Sequence, residues 1–149
     1  MKNIFVFLIV IVVVLSIFFG YVSYFGVENK DFSRISINGE IFDVEVVRKQ
    51  EDLALGLSGR SHIEDKNAMV FVFDKEDFWG IWMKDMNFPI DVVWLDKNKK
   101  IIFIKENLKP ETFPEVFYPD LKALYVVEMS VDSVKKTKAK INDEVFFLP

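Results

Sequence analysis

The 149-residue sequence contains no cysteine and a single histidine, His62. Without cysteine, the chain cannot form a disulfide, a thiolate metal site, a cysteine nucleophile or the acylated cysteine of a lipoprotein. A single histidine excludes the common zinc sites, which need several imidazoles. Glu64 and Asp65 follow His62 in a polar loop, and we interpret all three as solvated residues, so neither a metal nor another cofactor is expected.

Positive charge is also scarce relative to negative charge. From Glu28 onward the chain holds 18 basic and 23 acidic residues, a net charge of −5. This balance argues against a nucleic-acid partner, because phosphate contacts supply most of the affinity of such binders. The sequence also lacks a phosphate-binding loop, a dinucleotide-binding motif and a supported Ser/His/acid order, so no residue is assigned a catalytic role.

A long uncharged run occupies the N-terminal end of the chain. No charged residue lies between Lys2 and Glu28, and the stretch Ile4 to Phe25 is predominantly apolar. As a helix this stretch would span roughly 33 Å, enough for a hydrocarbon core of about 30 Å. A cleaved signal peptide has a shorter apolar region, about 7–15 residues, and a small-residue cleavage site. We therefore predict a single-pass membrane anchor at residues 1–27, with the C-terminal domain outside the cytoplasm, in the periplasm or at the cell surface.

After a short polar linker at residues 28–33, the pattern predicts a strand-rich globular domain at residues 34–149. Residues 34–37 and 41–47 alternate between apolar and polar, and Asn38-Gly39 between them is a strong hairpin signal. Further apolar runs predict strands at 69–73, 78–83, 90–95, 100–104, 123–129 and 145–148. Two short helices are expected, one over residues 50–57 and one ending near Lys138.

Tight turns join most of these strands, which favours a mainly β fold with two short helices. We expect one compact, largely antiparallel sheet, either curled or closed into a small barrel, because so many strands in a short domain must limit their exposed edges. The predicted core draws on Leu53, Phe71, Phe73, Ile81, Val93, Ile102, Val126 and Phe146.

The residues most suggestive of a site lie between Phe78 and Asp91, a segment with two Trp, one Lys and two Asp. Side chains of both charge signs beside an aromatic face would orient a polar ligand with an apolar side. If the domain has a cleft, the candidate ligand-binding residues are Arg60, Trp82, Lys84, Asp91 and Tyr118.

A structural interpretation of the same residues stays open. Trp79 and Trp82 would both belong to the core, as aromatic residues on strands usually do. Asp91 would form an internal ion pair with Arg60 or Lys84, because a buried carboxylate needs a cation or several donors.

Two classes of function follow from these observations. The anchor, the aromatic strands and the lack of a nucleophile-and-base set favour a non-catalytic ligand-binding or scaffolding module of the cell envelope. Its partners would be the membrane and an envelope glycan, a peptide or a small molecule. The alternative is an envelope hydrolase that acts on glycan or peptide through acidic residues such as Asp85 or Asp91.

Several ordered segments resemble domain-of-unknown-function family 192. They are VEVVRKQEDLALGLSGR, MVFVFD, FWGIWMKDMNFPIDVVWLD, KKIIFIKENLKP and YPDLKALYVVEM, and they cover roughly residues 41–147. The resemblance implies a small secreted or membrane-anchored prokaryotic domain with a compact, barrel-like, strand-rich fold, and it implies no reaction. Ser58-Gly59 and Asp85-Met86 depart from the family's usual residues beside the predicted cleft.

Overall fold

The structure of the protein, a computed structural model, describes residues 32–149. The predicted anchor at residues 1–27 and the first part of the predicted linker lie outside the described residues. Residues Phe32–Pro149 form one unit. Within this unit, no helix has the length and apolar character needed to cross a membrane.

Strands dominate the described part of the chain. They are β1 Arg34–Ile37, β2 Glu40–Val47, β3 Asn67–Asp77, β4 Ile81–Trp82, β5 Ile90–Leu95, β6 Ile101–Leu108, β7 Val116–Phe117, β8 Ala123–Ser130 and β9 Val145–Leu148. The α-helices are α1 Gln50–Leu55 and α2 Ser133–Thr137, and a 3₁₀ turn covers Pro110–Thr112. The predicted mainly β fold with two short helices is therefore confirmed.

The strands form one large curled sheet and one small ribbon. The sheet has the order β6-β5-β8-β3-β2-β1-β9, and the ribbon pairs β4 with β7. Among the described strands only β2 and β3 pair in parallel, and α1 lies in the long connection that such pairing requires. The sheet's edge strands approach each other at one end, where the N–H of Ile101 donates to the carbonyl of Asp143 at 2.9 Å. The sheet is thus a curled half-barrel.

The first hairpin forms as the sequence predicts. Asn38 and Gly39 join β1 to β2 and both have positive φ, 49° and 88°. Two successive positive φ angles are typical of the turn whose twist matches that of the flanking strands. The resulting register buries Ile35 and Ile37 completely.

Successive side chains along each strand point to opposite faces of the sheet, and a hydrophobic core lies on each face. The inner core fills the curl with side chains from all seven strands of the sheet. The outer core covers the opposite face of β3, β5 and β8 and lies beneath α1 and the ribbon. Ala68 and Val70 face the inner core, whereas Met69 and Phe71 face the outer one. Because both faces of β3 are buried in its first half, residues 68–73 form a continuous apolar run.

Two local predictions are wrong. Strand 78–83 is reduced to Ile81–Trp82, since Trp79 lies outside the strand and its indole donates a hydrogen bond to the carbonyl of Lys75. Phe146 is 54% exposed and does not belong to the core. In β9 the inward positions are Val145 and Phe147, and a run of four apolar residues gives no alternation from which to choose them.

The other predicted core residues lie in or against the two cores. Phe71, Ile81, Val93 and Val126 are buried. Leu53, Phe73 and Ile102 are partly buried and pack against the outer core.

Candidate ligand-binding site

A groove of about 640 Å³ opens on the outer face of the domain, between α1 and the ribbon. The end of β3 lies along its floor, and Trp82 stands on its β4 side. We call it the Trp82 groove. Its lining residues are Arg48, Gln50, Leu53, Ala54, Phe71, Phe73, Asp74, Lys75, Trp79, Gly80, Ile81 and Trp82.

Trp82 presents its indole to solvent at the rim of this groove. Its side chain is 46% exposed, although it lies on a paired strand. The Phe113 ring meets the indole edge-on at a centroid distance of 6.0 Å, and the Lys84 ammonium lies 5.6 Å from the centre of the indole ring. The interpretation that both Trp79 and Trp82 belong to the core is therefore wrong for Trp82.

In the ribbon that carries Trp82, the side chains of Tyr118 and Val116 lie close against the backbone of Gly80. A Cβ atom on Gly80 would lie 2.5 Å from Cε1 of Tyr118 and 2.7 Å from Cγ1 of Val116. Only glycine lets these two side chains lie against the backbone just before β4. Tyr118 itself remains 57% exposed.

Trp79 forms a fixed part of the groove wall. Its ring stacks on Phe73 with centroids 4.1 Å apart and planes 7° apart. Its carbonyl accepts a hydrogen bond of 2.7 Å from the indole N–H of the buried Trp94. These contacts attach the segment before β4 to the outer core, so the groove is preformed.

A smaller recess of about 60 Å³ shares part of its wall with the Trp82 groove. Glu128 on β8 lies in this recess, and we call it the Glu128 recess. The shared residues are Leu53, Ala54, Phe71, Gly80, Ile81 and Trp82. The recess alone adds Leu55, Gly56, Leu57, Ser58, Met86 and Glu128.

Glu128 is the most unusual ionisable group in residues 32–149. Its register partners on the neighbouring strands are the apolar Met69 and Val92, and only 5% of the residue is exposed. Within the described chain, its Oε2 atom has no hydrogen-bond partner. Burial raises the pKa of the Glu128 carboxyl to about 8, although the positive charge of Arg60 opposes the shift. The carboxyl group is therefore mostly protonated at neutral pH.

Sequence reasoning missed Glu128, although a signal was present. It is the only charged residue in β8, Ala123–Ser130, whose other residues are mostly apolar. An acid inside such a strand is expensive to bury without a partner. The same reasoning that singled out Asp91 therefore applied to Glu128.

The structure brings together only part of the predicted site. Trp82 and Lys84 are in contact, and Tyr118 lies nearby against Gly80. Of the five predicted residues only Trp82 lines the Trp82 groove. The others, Arg60, Lys84, Asp91 and Tyr118, do not line it.

Asp91 is buried and has a structural role, because backbone N–H groups bind its carboxylate. It is 1% exposed and faces the inner side of the sheet, opposite to Glu128. Its Oδ1 accepts a hydrogen bond from the N–H of Asn107 at 2.8 Å, and its Oδ2 accepts one from the N–H of Val134 at 2.9 Å. The first bond holds an irregular, positive-φ residue in β6, and the second caps the first turn of α2. The proposed ion pair with Arg60 or Lys84 is therefore wrong, since backbone donors satisfy this carboxylate.

The backbone of Arg60 contacts the segment between β4 and β5, whereas its side chain pairs with Glu45 on β2. Its carbonyl accepts a 2.8 Å hydrogen bond from the amide of Asn87, while its guanidinium pairs with Glu45 at 2.8 Å. The adjacent Gly59 N–H donates to the carbonyl of Asp85. Thus the two segments that depart from the family's usual residues are joined, and the Arg60 guanidinium lines a separate polar hollow with His62 and Glu64.

The arrangement suits binding of a neutral or anionic polar ligand by an aromatic surface. The groove offers apolar and aromatic walls with a few charged side chains, as small-molecule sites commonly do. Across residues 32–149, no three His, Asp or Glu side chains are grouped so that they would hold a metal ion.

The fold and the site define a class of protein: a small curled-sheet domain with an exterior aromatic groove. Residues 33–147 match the model of the family described as DUF192, uncharacterized ACR. The chain belongs to this family, as the sequence resemblance predicts.

Two solved structures share the fold. One is a protein of unknown function from Novosphingobium aromaticivorans DSM 12444, with a TM-score of 0.72 and 21% identity over 82% of this chain and 89% of that chain. The other is a "putative transcription regulator" from Sinorhizobium meliloti 1021, with a TM-score of 0.71 and 22% identity over 76% of this chain and 92% of that chain. No protein of curated function matches the sequence.

Proposed function

We propose that this protein is a non-catalytic ligand-binding module of the cell envelope and that its ligand lies in the Trp82 groove against the exposed indole. The ligand we favour is a sugar unit of an envelope glycan, because its hydroxyl groups are polar and its ring has an apolar face. Peptides and other small molecules are the competing ligands that the experiment below includes.

The exposure of Trp82 is the observation that carries this proposal. An indole at 46% exposure exposes apolar surface that a folded domain ordinarily buries. The indole is held at this position by the strand pairing of β4 with β7 and by the edge contact with Phe113. A preformed aromatic surface binds a ligand at a lower entropic cost than one that must become ordered.

The location at the envelope rests on the apolar run at residues 4–25. We propose that this run anchors the protein by its N-terminus and leaves the domain outside the cytoplasm. Protease added to intact cells should then remove residues 32–149. A fully protected domain would reverse the orientation, and a mature chain beginning after Tyr21 would refute the anchor.

A hydrolase remains the second candidate because Glu128 has the raised pKa of a general acid. Hydrolysis of a glycosidic bond by carboxyl groups requires a second acid across the scissile bond. Among the described residues that line the Glu128 recess, Glu128 is the only ionisable one, and Asp74 is the only acid of the adjoining groove. This composition favours binding over catalysis.

A nucleic-acid ligand, as the description of the Sinorhizobium protein would suggest, is disfavoured for this chain. The net charge of residues 28–149 is −5, and phosphate binding requires an excess of basic side chains on the binding face.

Binding of soluble envelope glycan fragments to the full-length chain, followed by calorimetry, tests the proposal. Trp82→Ala should weaken binding at least about tenfold, or about 1.4 kcal/mol, because the stacking surface is removed. Phe78→Ala is a matched control, since Phe78 is 48% exposed and has Lys122 6.0 Å from its ring centre, yet it does not line the groove. Equal losses in both variants, or binding of peptides but not glycans, would contradict the proposal as stated.

A further inference from the structure

The Glu128 recess contains a polar atom for which the fold supplies no partner. Oε2 of Glu128 has less than 1 Å² of exposed surface and no hydrogen bond within residues 32–149. Buried polar atoms in folded proteins are almost always paired, because an unpaired one loses its hydration without compensation. The exception therefore requires an explanation.

Gly56 lies beside this carboxyl group, at a position where a side chain would be crowded. A Cβ atom there would lie 3.2 Å from Cζ of Phe71 and 3.8 Å from Oε2 of Glu128. Gly56 also has φ 51° and ψ −131°, a conformation that side chains disfavour, so the helix end itself requires glycine. Gly56 and Glu128 both line the recess, whose volume of about 60 Å³ is several times the roughly 10–15 Å³ that a single water needs.

We propose that the Glu128 recess is a subsite for an uncharged oxygen acceptor of the ligand, a carbonyl or hydroxyl oxygen, and that the Glu128 carboxyl group donates a hydrogen bond to it. This inference rests on the proposed function and names the chemical group that reaches furthest into the site. A sugar hydroxyl or an acetamido carbonyl next to the stacked ring would meet this requirement.

The charges around the recess favour an uncharged acceptor over a cation. A protonated carboxyl has one O–H donor, and the raised pKa of Glu128 keeps the group in this form at neutral pH. A protonated carboxyl group carries no negative charge with which an entering ammonium group could pair. The Lys84 ammonium, 5.6 Å from the ring centre of Trp82 at the shared wall, would also repel a cation.

Acetamide and methylammonium are suitable probes, because they are similar in size and differ in charge. We would titrate each into the full-length chain at pH 6.5 and follow the carboxyl carbon resonance of ¹³C-labelled Glu128. Acetamide should bind and move this resonance, whereas methylammonium should bind at least tenfold more weakly. Tighter binding of methylammonium, or no binding of acetamide, would overturn the proposal.

Two variants separate hydrogen bonding from shape. Glu128→Leu removes the donor and should weaken acetamide binding at least tenfold, whereas Glu128→Gln keeps an N–H donor and should stay within about threefold of the parent. Glu106→Leu, at an exposed position of β6, is the control for loss of a carboxylate. Unchanged binding in Glu128→Leu would refute the assignment.

A pH series tests the donor without relying on the Leu variant. Acetamide affinity of the parent should fall as the pH rises through about 8, while that of Glu128→Gln should stay constant. Parallel curves would overturn the proposal. Acetamide is too small to span the Trp82 groove, so failure of glycan fragments to bind would overturn the proposed function alone.

Discussion

Glu128 should make the stability of the domain depend on pH, and replacing it by glutamine should remove that dependence. The carboxyl pKa is about 8 in the folded protein, against 4.5 for an ordinary glutamate. Between these values the folded protein holds a proton that the unfolded chain has released. The free energy of unfolding therefore falls as the pH rises through this interval, and it becomes constant above the folded pKa.

The size of the effect follows from the shift. Each unit of pKa difference corresponds to about 1.4 kcal/mol, so a rise from 4.5 to about 8 amounts to roughly 3–5 kcal/mol. Stabilities of natural domains are about 5–15 kcal/mol, so the loss would be a large part of the total. Glutamine has nearly the shape of the protonated acid and does not titrate in this range.

Urea unfolding of residues 32–149, followed by circular dichroism from pH 5 to pH 9, would measure this difference. Glu128→Gln should be within about 1 kcal/mol of the parent at pH 5, because both side chains are neutral in the folded protein and pH 5 is only slightly above the unfolded pKa of 4.5. It should be more stable by about 3–5 kcal/mol at pH 9. Glu106→Gln controls for the removal of an exposed charge and should differ by no more than about 0.5 kcal/mol. A constant difference between the parent and Glu128→Gln across the pH range would show that the buried carboxyl does not have a raised pKa.

Two further substitutions test how the predicted site residues are used. Asp91→Ala should lower the free energy of unfolding by about 2–5 kcal/mol, because the N–H groups of Asn107 and Val134 would both lose their acceptor. Urea unfolding measures this, and a change below 1 kcal/mol would contradict the assigned role. Arg60→Ala should cost no more than about 1 kcal/mol in the same assay, because its ion pair with Glu45 is exposed to solvent. A loss as large as that of Asp91→Ala would mean that Arg60 has a buried partner.

Local sequence patterns determined much of the fold. The Asn38-Gly39 turn and the alternating residues around it predict their hairpin from neighbours in sequence alone. The parallel pairing of β2 with β3 could not be predicted in this way. A strand pattern indicates which face is buried but not the direction of its neighbour, and the connection through α1 can return the chain on either side of β2.

The segment around Trp79 shows why local patterns failed elsewhere. Its aromatic residues have the composition of a strand. Trp79 instead lies outside the strand, where its carbonyl accepts the indole N–H of Trp94 and its own indole donates to the carbonyl of Lys75, and β4 has only two residues. The contact with Trp94 joins residues 15 apart in sequence and has no periodic signature.

The site was predictable to the extent that it depends on neighbours in sequence. Trp82 and Lys84 are two residues apart, and the structure places the ammonium near the indole. The partners of Asp91 were not predictable, because they are backbone N–H groups 16 and 43 residues away. Every residue but proline carries such a donor, so no side-chain pattern reveals which ones a carboxylate meets.

Asp91 and Glu128 are both buried acids, but of the two only Asp91 has both carboxyl oxygens paired within residues 32–149. Both acids lie on paired central strands, are no more than 5% exposed and have apolar neighbours. Two backbone donors compensate the burial of Asp91 and join β6 and α2 to the sheet, so its carboxylate contributes to the architecture. Oε2 of Glu128 has no such partner among the described residues, and an apolar side chain of similar size would fill its position at lower cost. A buried acid with an unpartnered oxygen among the described residues, beside an aromatic groove, is therefore the feature on which the proposed subsite depends.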